Sequence, residues 1–145
     1  MKNPDKFLSD SGNSGVYAAP DRVATLKKAA AVCEVAWMEL DLKSVRDKAG
    51  FLAQCRSTFG FPSSFGHNWD ALADSLQDMS WRAARGYVVH CRNGGAFSRR
   101  SPQDLATALE ILEPTSAYWK TKNKVYLVLL DSETRGGREW ANFPD

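Results

Sequence analysis

The chain has 145 residues, 43% of them hydrophobic and 25% charged, a composition that fits one globular domain. Its 19 basic and 17 acidic side chains leave a net charge of +2, which by itself does not indicate a nucleic-acid or anionic-membrane partner. The longest apolar run, Val125–Leu130, is far shorter than the roughly 18 residues of a membrane span, and no secretory signal is expected at the N-terminus. Three cysteines without CxxC spacing (Cys33, Cys55 and Cys91) are typical of a reducing compartment. We therefore expect a cytoplasmic protein without a membrane, metal or cofactor requirement.

The first half of the chain alternates strand-like and helix-like segments. Residues 1–14 are polar and aperiodic, which predicts a flexible lead-in. A short strand at Gly15–Tyr17 and a helix that starts at Pro20 form an N-terminal extension over residues 15–31. Val32–Leu42 then predicts a strand, and Val45–Phe59 predicts a helix that Gly60 ends.

The second half continues the alternation. Asn68 is a favourable N-cap for the next helix, and Tyr87–Cys91 is a strand of buried type. Ser101 is predicted to cap a further helix, which Pro114 either breaks, kinks or leaves to continue. Val125–Leu130 predicts a strand covered on both faces, and residues 132–145 form a tail. The pattern predicts one α/β domain over residues 15–131 with a small, mainly parallel sheet.

Residues 61–80 (FPSSFGHNWDALADSLQDMS) carry three acids and no Lys or Arg. Since this segment contributes −3 to a chain of net charge +2, the remainder carries +5. On a helix, Asp70, Asp74 and Asp78 share one face and repel one another at i,i+4 spacing. The opposite face is an apolar stripe that consists of Trp69, Leu72, Leu76 and Met79.

Two interpretations of this helix stay open. An acidic face opposite an apolar stripe is most often a solvated surface. The alternative is an anionic docking ridge for a basic protein surface, with Phe65 beside it as an apolar anchor. In the first interpretation Phe65 is simply a core residue.

The segment FPSSFGHNWDALADSL resembles the signature of the barstar family, the small bacterial inhibitors of barnase-type ribonucleases. The matching positions are Pro62, Phe65, Gly66, Asn68, Trp69, Asp70, Ala71, Leu72 and Asp74. With its flanking strands and helices, the resemblance covers about residues 32–131.

The resemblance implies a three-stranded parallel sheet flanked by helices, with the N-terminal strand and helix as an addition. It also implies that the signature helix and its preceding loop occlude the active site of a ribonuclease, and that carboxylates stand in for RNA phosphates. Asp74 would be the central anion and Asp70 would pair with a neighbouring base. The expected partner-binding residues are Phe65, Gly66, Asn68, Asp70, Ala73, Asp74, Gln77 and Trp81, and the expected partner is a basic extracellular-type or toxin ribonuclease.

The sequence offers little support for catalysis. His90 and Cys91 are adjacent in a predicted strand, so their side chains point to opposite faces and cannot form a nucleophile–base pair. No His or Cys pair has metal-ligand spacing, and no phosphate-binding loop motif is present. We expect a binding protein that is not an enzyme.

A second class of function is a single-strand nucleic-acid-binding module. Residues 81–100 interleave five arginines with Trp81, Tyr87 and Phe97, an arrangement that can stack bases and neutralise phosphates. The alternative is ordinary solvated charge around a strand.

Overall fold

The computed structural model describes residues 3–144, which form an α/β domain around one parallel sheet. The sheet has five strands in the order β2-β3-β4-β1-β5. In chain order, the strands are β1 (Gly15–Ala18), β2 (Val35–Asp41), β3 (Gly86–Arg92), β4 (Val125–Leu130) and β5 (Ala141–Asn142). The helices are α1 (Pro4–Leu8), α2 (Val23–Val32), α3 (Lys48–Phe59), α4 (Trp69–Asp78), α5 (Gly95–Arg100) and α6 (Pro102–Thr121). Short 3₁₀ turns lie at Ser11–Asn13, Ser80–Arg82 and Ser132–Thr134.

Helices cover the sheet on both faces because successive strand side chains point to opposite sides. In β3, Tyr87 and Val89 pack with α3, α4 and α6, whereas Val88 faces the core formed with α1 and α2. The connections from β2 to β3 and from β3 to β4 each move to the next strand in the same direction across the sheet. The connection from β1 to β2 crosses the sheet in the opposite direction. Right-handed crossovers require helices on opposite faces for these two directions, and α2 is accordingly separated from α3 and α6. The middle strands β3 and β4 are covered almost entirely.

The prediction of a three-stranded sheet is wrong in its strand count. β1 pairs in parallel with β4 over Gly15–Ala18 and also pairs with β5 at Tyr17 and Ala18. The extension at residues 15–31 therefore supplies the predicted strand and helix, and its strand belongs to the central sheet. The strand β5 adds the fifth member.

Both chain ends differ from the predictions of a flexible lead-in and a tail. Asn3 caps α1 through its side chain, and Leu8 is buried at 2% exposure. The Oγ of Ser14 accepts a hydrogen bond from the backbone N–H of Tyr126 (3.0 Å), and Phe143 is buried beyond β5. Isolated apolar residues in polar segments show no periodicity. The packing of Leu8 and Phe143 against the rest of the domain was therefore not predictable from the sequence pattern. Residues 1, 2 and 145, which belong to the same predictions, lie outside the described part of the chain.

The long helix α6 continues through Pro114. Pro114 and Glu110 are both exposed, so the carbonyl that loses its intrahelical partner can be hydrated. Ser101 stands at the N-cap position of α6 as predicted, but its side chain makes no capping hydrogen bond. The short helix α5, immediately before it, was not predicted. No helix within residues 3–144 has both the length and the hydropathy to cross a membrane.

Candidate protein-docking site

Helix α4 starts at Trp69, and Asn68 is its N-cap, as the sequence predicts. The Oδ1 of Asn68 accepts a hydrogen bond from the backbone N–H of Ala71 at 2.7 Å. Its Nδ2 donates back to the carbonyl oxygen of Gly66 at 3.3 Å, which ties the preceding loop to the first turn. A Cβ at Gly66 would lie 3.4 Å from the Cβ of Ala71, so the loop and the helix are in close contact there. The entry to α4 is thus fixed by side-chain as well as backbone groups.

The loop before α4 is supported by a row of aromatic rings in tilted contact. Gly60 ends α3 with φ of 70°, a conformation that suits glycine. The rings of Phe61 and Phe65 then lie 4.8 Å apart, and the ring of His67 lies a further 4.8 Å from Phe65. Phe65 is only 7% exposed and belongs to the main core. The expectation that Phe65 is an apolar anchor for a partner therefore differs from the structure, because burial among these rings leaves it almost no exposed surface.

The inner face of α4 is anchored to the core and to α6. Leu72, Leu76 and Met79 are buried as the apolar stripe predicts. The indole Nε1 of Trp119 in α6 donates a hydrogen bond to the carbonyl oxygen of Leu76 at 2.9 Å. This bond satisfies one carbonyl of the last helical turn, which has no intrahelical donor. Helix α4 is therefore fixed at both ends.

The outer face of α4 carries the acidic ridge, defined as Asp70, Asp74 and Asp78. All three side chains are exposed, and within residues 3–144 no basic group lies within ion-pair distance of any of them. Ala73 and Gln77 are half-buried beside the ridge. The ridge therefore presents three carboxylates on a rigid helix without an internal counter-charge among these residues.

Trp81 lies just beyond the end of α4 and is 36% exposed. Its Nε1 donates to the carbonyl oxygen of Phe59 at 3.0 Å, and its ring meets Phe61 edge to face at 5.7 Å. One side of the indole is thus held in place while the other reaches solvent. Among the large side chains of the candidate site, Trp81 is the one that offers apolar surface to a partner.

Two of the three cysteines are buried in the core. Cys55 and Cys91 are buried in the main core, and burial raises the pKa of Cys91 to about 12 and that of Cys55 well above its usual range. Thiols of this kind are protonated at neutral pH and are poor nucleophiles. His90 packs on the other face of β3, where desolvation lowers its pKa, although Glu39 opposes this effect. No cluster of three His, Cys, Asp or Glu side chains suited to a metal ion is found within residues 3–144.

The nucleic-acid hypothesis for residues 81–100 depends on three aromatic rings, two of which are buried. Tyr87 and Phe97 are fully buried, which leaves Trp81 as the accessible ring of the three. The arginines of the segment are exposed, but Arg85 is paired with Glu34 at 3.0 Å. Base stacking needs aromatic faces that strands and core packing do not cover, so this arrangement does not support single-strand binding.

Sequence reasoning missed the role of Trp119. Buried residues recur along α6 at steps of three or four positions: Leu105, Leu109, Leu112, Ser116 and Trp119. That period places Trp119 on the core face. The helical pattern could therefore have assigned Trp119 to the packing of α6, although its hydrogen bond to α4 depends on tertiary structure.

Comparison with known proteins agrees with this architecture. The family model for Barstar (barnase inhibitor) matches residues 35–131, from the start of β2 to the residue after β4. No individual curated protein matches the chain. The matched region contains α4, its preceding loop and the helix α6 that holds it. The chain therefore belongs to the barstar family.

Proposed function

We propose that this protein inhibits a basic ribonuclease or a related toxin by covering its active site with α4. Membership of the barstar family supports a ribonuclease-inhibitor type of function. Inhibition by occlusion requires no chemistry from the chain itself. The proposed setting is the cytoplasm, where an inhibitor of this kind would protect the cell that makes it.

The observation that carries the proposal is the acidic ridge. Its carboxylates are exposed and have no basic partner among the described residues. A ribonuclease active site contains cations arranged for phosphate, and carboxylates on a rigid helix can form charge-assisted hydrogen bonds with them. Like charges at i,i+4 destabilise a helix, so a face of this kind is better explained by a partner than by the stability of α4.

The proposed contact surface extends from the loop to the end of α4. Asp74 lies at the centre of the ridge, and Asp70 lies in the first turn. Gly66 and Asn68 would supply the loop contact, which brings the partner close to the backbone. Ala73, Gln77 and Trp81 would complete the surface, with Trp81 as its apolar member in place of the buried Phe65.

An affinity experiment tests this proposal. The wild-type protein and an Asp70→Ala/Asp74→Ala variant are immobilised, and a basic barnase-type ribonuclease is passed over each at several salt concentrations. A Glu110→Ala/Glu139→Ala variant removes the same number of charges from exposed positions outside the ridge. Inhibition of RNA cleavage is measured with the same three proteins in solution.

We expect the wild type and the Glu110/Glu139 control to bind and inhibit equally, and the ridge variant to do neither. Asp74→Ala alone should weaken binding by about 2–5 kcal/mol, the usual cost of removing one partner from a buried charge pair and a rule illustrated by barnase and barstar themselves. Equal binding by the ridge variant would refute the docking role of α4. Failure of the wild type with one enzyme directs the test to nuclease toxins from the source cell, with the same variants.

A further inference from the structure

A polar cavity lies at the carboxyl end of the sheet, away from α4. Its volume is about 600 Å³, which is within the range of small-molecule sites. The lining includes Ala18–Arg22 of the β1–α2 connection, Arg135 of the β4–β5 connection and Asn142–Pro144 at the end of the described chain. Every one of these residues falls outside the region matched by the family model, residues 35–131.

The cavity lies at a topological switch point of the sheet. The connection after β1 leads to α2 on one face, whereas the connection after β4 packs Trp140 against the core on the other face. Strand β1 is hydrogen-bonded to β4 and to β5. Crevices between connections that diverge in this way are the usual ligand sites of open parallel sheets.

The groups that line the cavity favour an anion. Among the described lining residues, Arg22 and Arg135 are basic and Asp21 is the one acid. Within residues 3–144 neither arginine has an ion-pair partner. The Nε–H of Arg135 donates a hydrogen bond to the carbonyl oxygen of Leu130 at 3.4 Å, which holds this guanidinium group near the end of β4.

Backbone groups add to this preference. Helix α2 starts at Val23, directly beside Arg22, and Arg22 supplies no side-chain acceptor at the N-cap. The first N–H groups of a ten-residue helix carry a partial positive charge, and α2 starts one residue after the lining residue Arg22. Guanidinium forks and helix N–H groups together match the oxygens of a phosphate group.

We propose that this cavity binds a small phosphate-bearing molecule, either inorganic phosphate or a phosphate monoester. The two arginines would hold the phosphate, and the carboxylate of Asp21 would accept a hydrogen bond from a hydroxyl of an organic part. The site is formed by the segments that this chain adds to either side of the family-matched region. It is independent of the acidic ridge and of the function proposed for it.

Nuclear magnetic resonance titration of the full chain tests the site. Inorganic phosphate and glycerol phosphate are added separately at constant ionic strength, and the backbone amide signals of residues 18–25 are followed. The variants are Arg22→Gln, Arg135→Gln and their combination, with Arg56→Gln on α3 as an exposed arginine outside the cavity. Because Arg22 is exposed, its single variant tests the site even if Arg135→Gln disturbs the fold.

We expect saturable shifts centred on Val23 and Ala24. Each single variant should weaken binding about tenfold, the usual effect of losing one charge-assisted hydrogen bond, and the double variant should abolish saturation. Arg56→Gln and Asp70→Ala/Asp74→Ala should titrate as the wild type does. Tighter binding of glycerol phosphate would identify an ester as the ligand, and equal or weaker binding would identify free phosphate. Shifts that do not saturate, or that persist in the double variant, would overturn the proposal.

Discussion

The substitution Asp74→Ala should stabilise the isolated protein although it weakens the proposed complex. Asp74 is exposed and lies four residues from both Asp70 and Asp78 on α4. Each like-charge i,i+4 pair costs about 0.2–0.5 kcal/mol, and Asp is about 0.5–0.7 kcal/mol less favourable than Ala inside a helix. The free energy of unfolding should therefore rise by roughly 1 kcal/mol.

Asp70→Ala provides an internal comparison at the same helix. Asp70 has one like-charge neighbour at this spacing, and it lies in the first turn, where the helix dipole stabilises an anion by about 0.3–1 kcal/mol. The loss of this interaction cancels most of the gain from reduced repulsion and improved helix propensity. We expect a change in unfolding free energy close to zero.

Urea unfolding, followed by circular dichroism at low and at high salt, measures both variants. The gain for Asp74→Ala should shrink at high salt, because salt screens repulsion between exposed charges but leaves helix propensity unchanged. A loss of stability of about 1 kcal/mol or more in Asp74→Ala would refute this reasoning. It would mean that the carboxylate has a stabilising partner in the folded protein and is not held ready for another molecule.

Three further predictions concern two residues that support the site and one buried histidine on the other face of the sheet. Phe65→Ala should lower the free energy of unfolding by about 3–5 kcal/mol in thermal or urea unfolding, because the ring is buried, whereas an exposed anchor would cost almost nothing. Asn68→Ala should cost about 1 kcal/mol through loss of the N-cap bond to Ala71, and Asn68→Asp should retain most of that stability. The wild type should lose stability as pH falls through about 6.5, because burial lowers the pKa of His90 in the folded state and the unfolded chain then binds more protons. His90→Gln should flatten this part of the pH profile, and an unchanged slope would contradict the assignment.

Local signals in the sequence were sufficient to predict the N-cap and the two faces of α4. Asn68 caps α4 in the predicted way, and the stripe from Leu72 to Met79 is buried opposite the exposed aspartates. Each of these features depends on residues within one or two helical turns, and their spacing is visible in the sequence. The run Val125–Leu130 likewise predicted β4 with its observed bounds.

The sequence could not predict contacts between distant segments. Trp119 donates to Leu76 across 43 residues, and β5 is only two residues long, so neither has a local pattern. Phe65 shows a different limit: a loop aromatic next to a charged helix fits an exposed anchor and a core residue equally well. Its contacts with the neighbouring aromatic rings decide between the two, and those contacts exist only in the folded chain.

The two ends of the chain are fastened to each other on the face of the sheet opposite α4. The ring of Phe143 lies 4.8 Å from that of Phe7 and 5.5 Å from that of Tyr17, in the core that α1 and α2 complete. Helix α4 instead depends on Asn68 and Trp119, which lie inside the family-matched region. The two sets of contacts share no residue, so the hydrogen bonds that hold both ends of α4 come from within the family-matched region. The cavity at the end of β1, by contrast, is lined by the added segments alone.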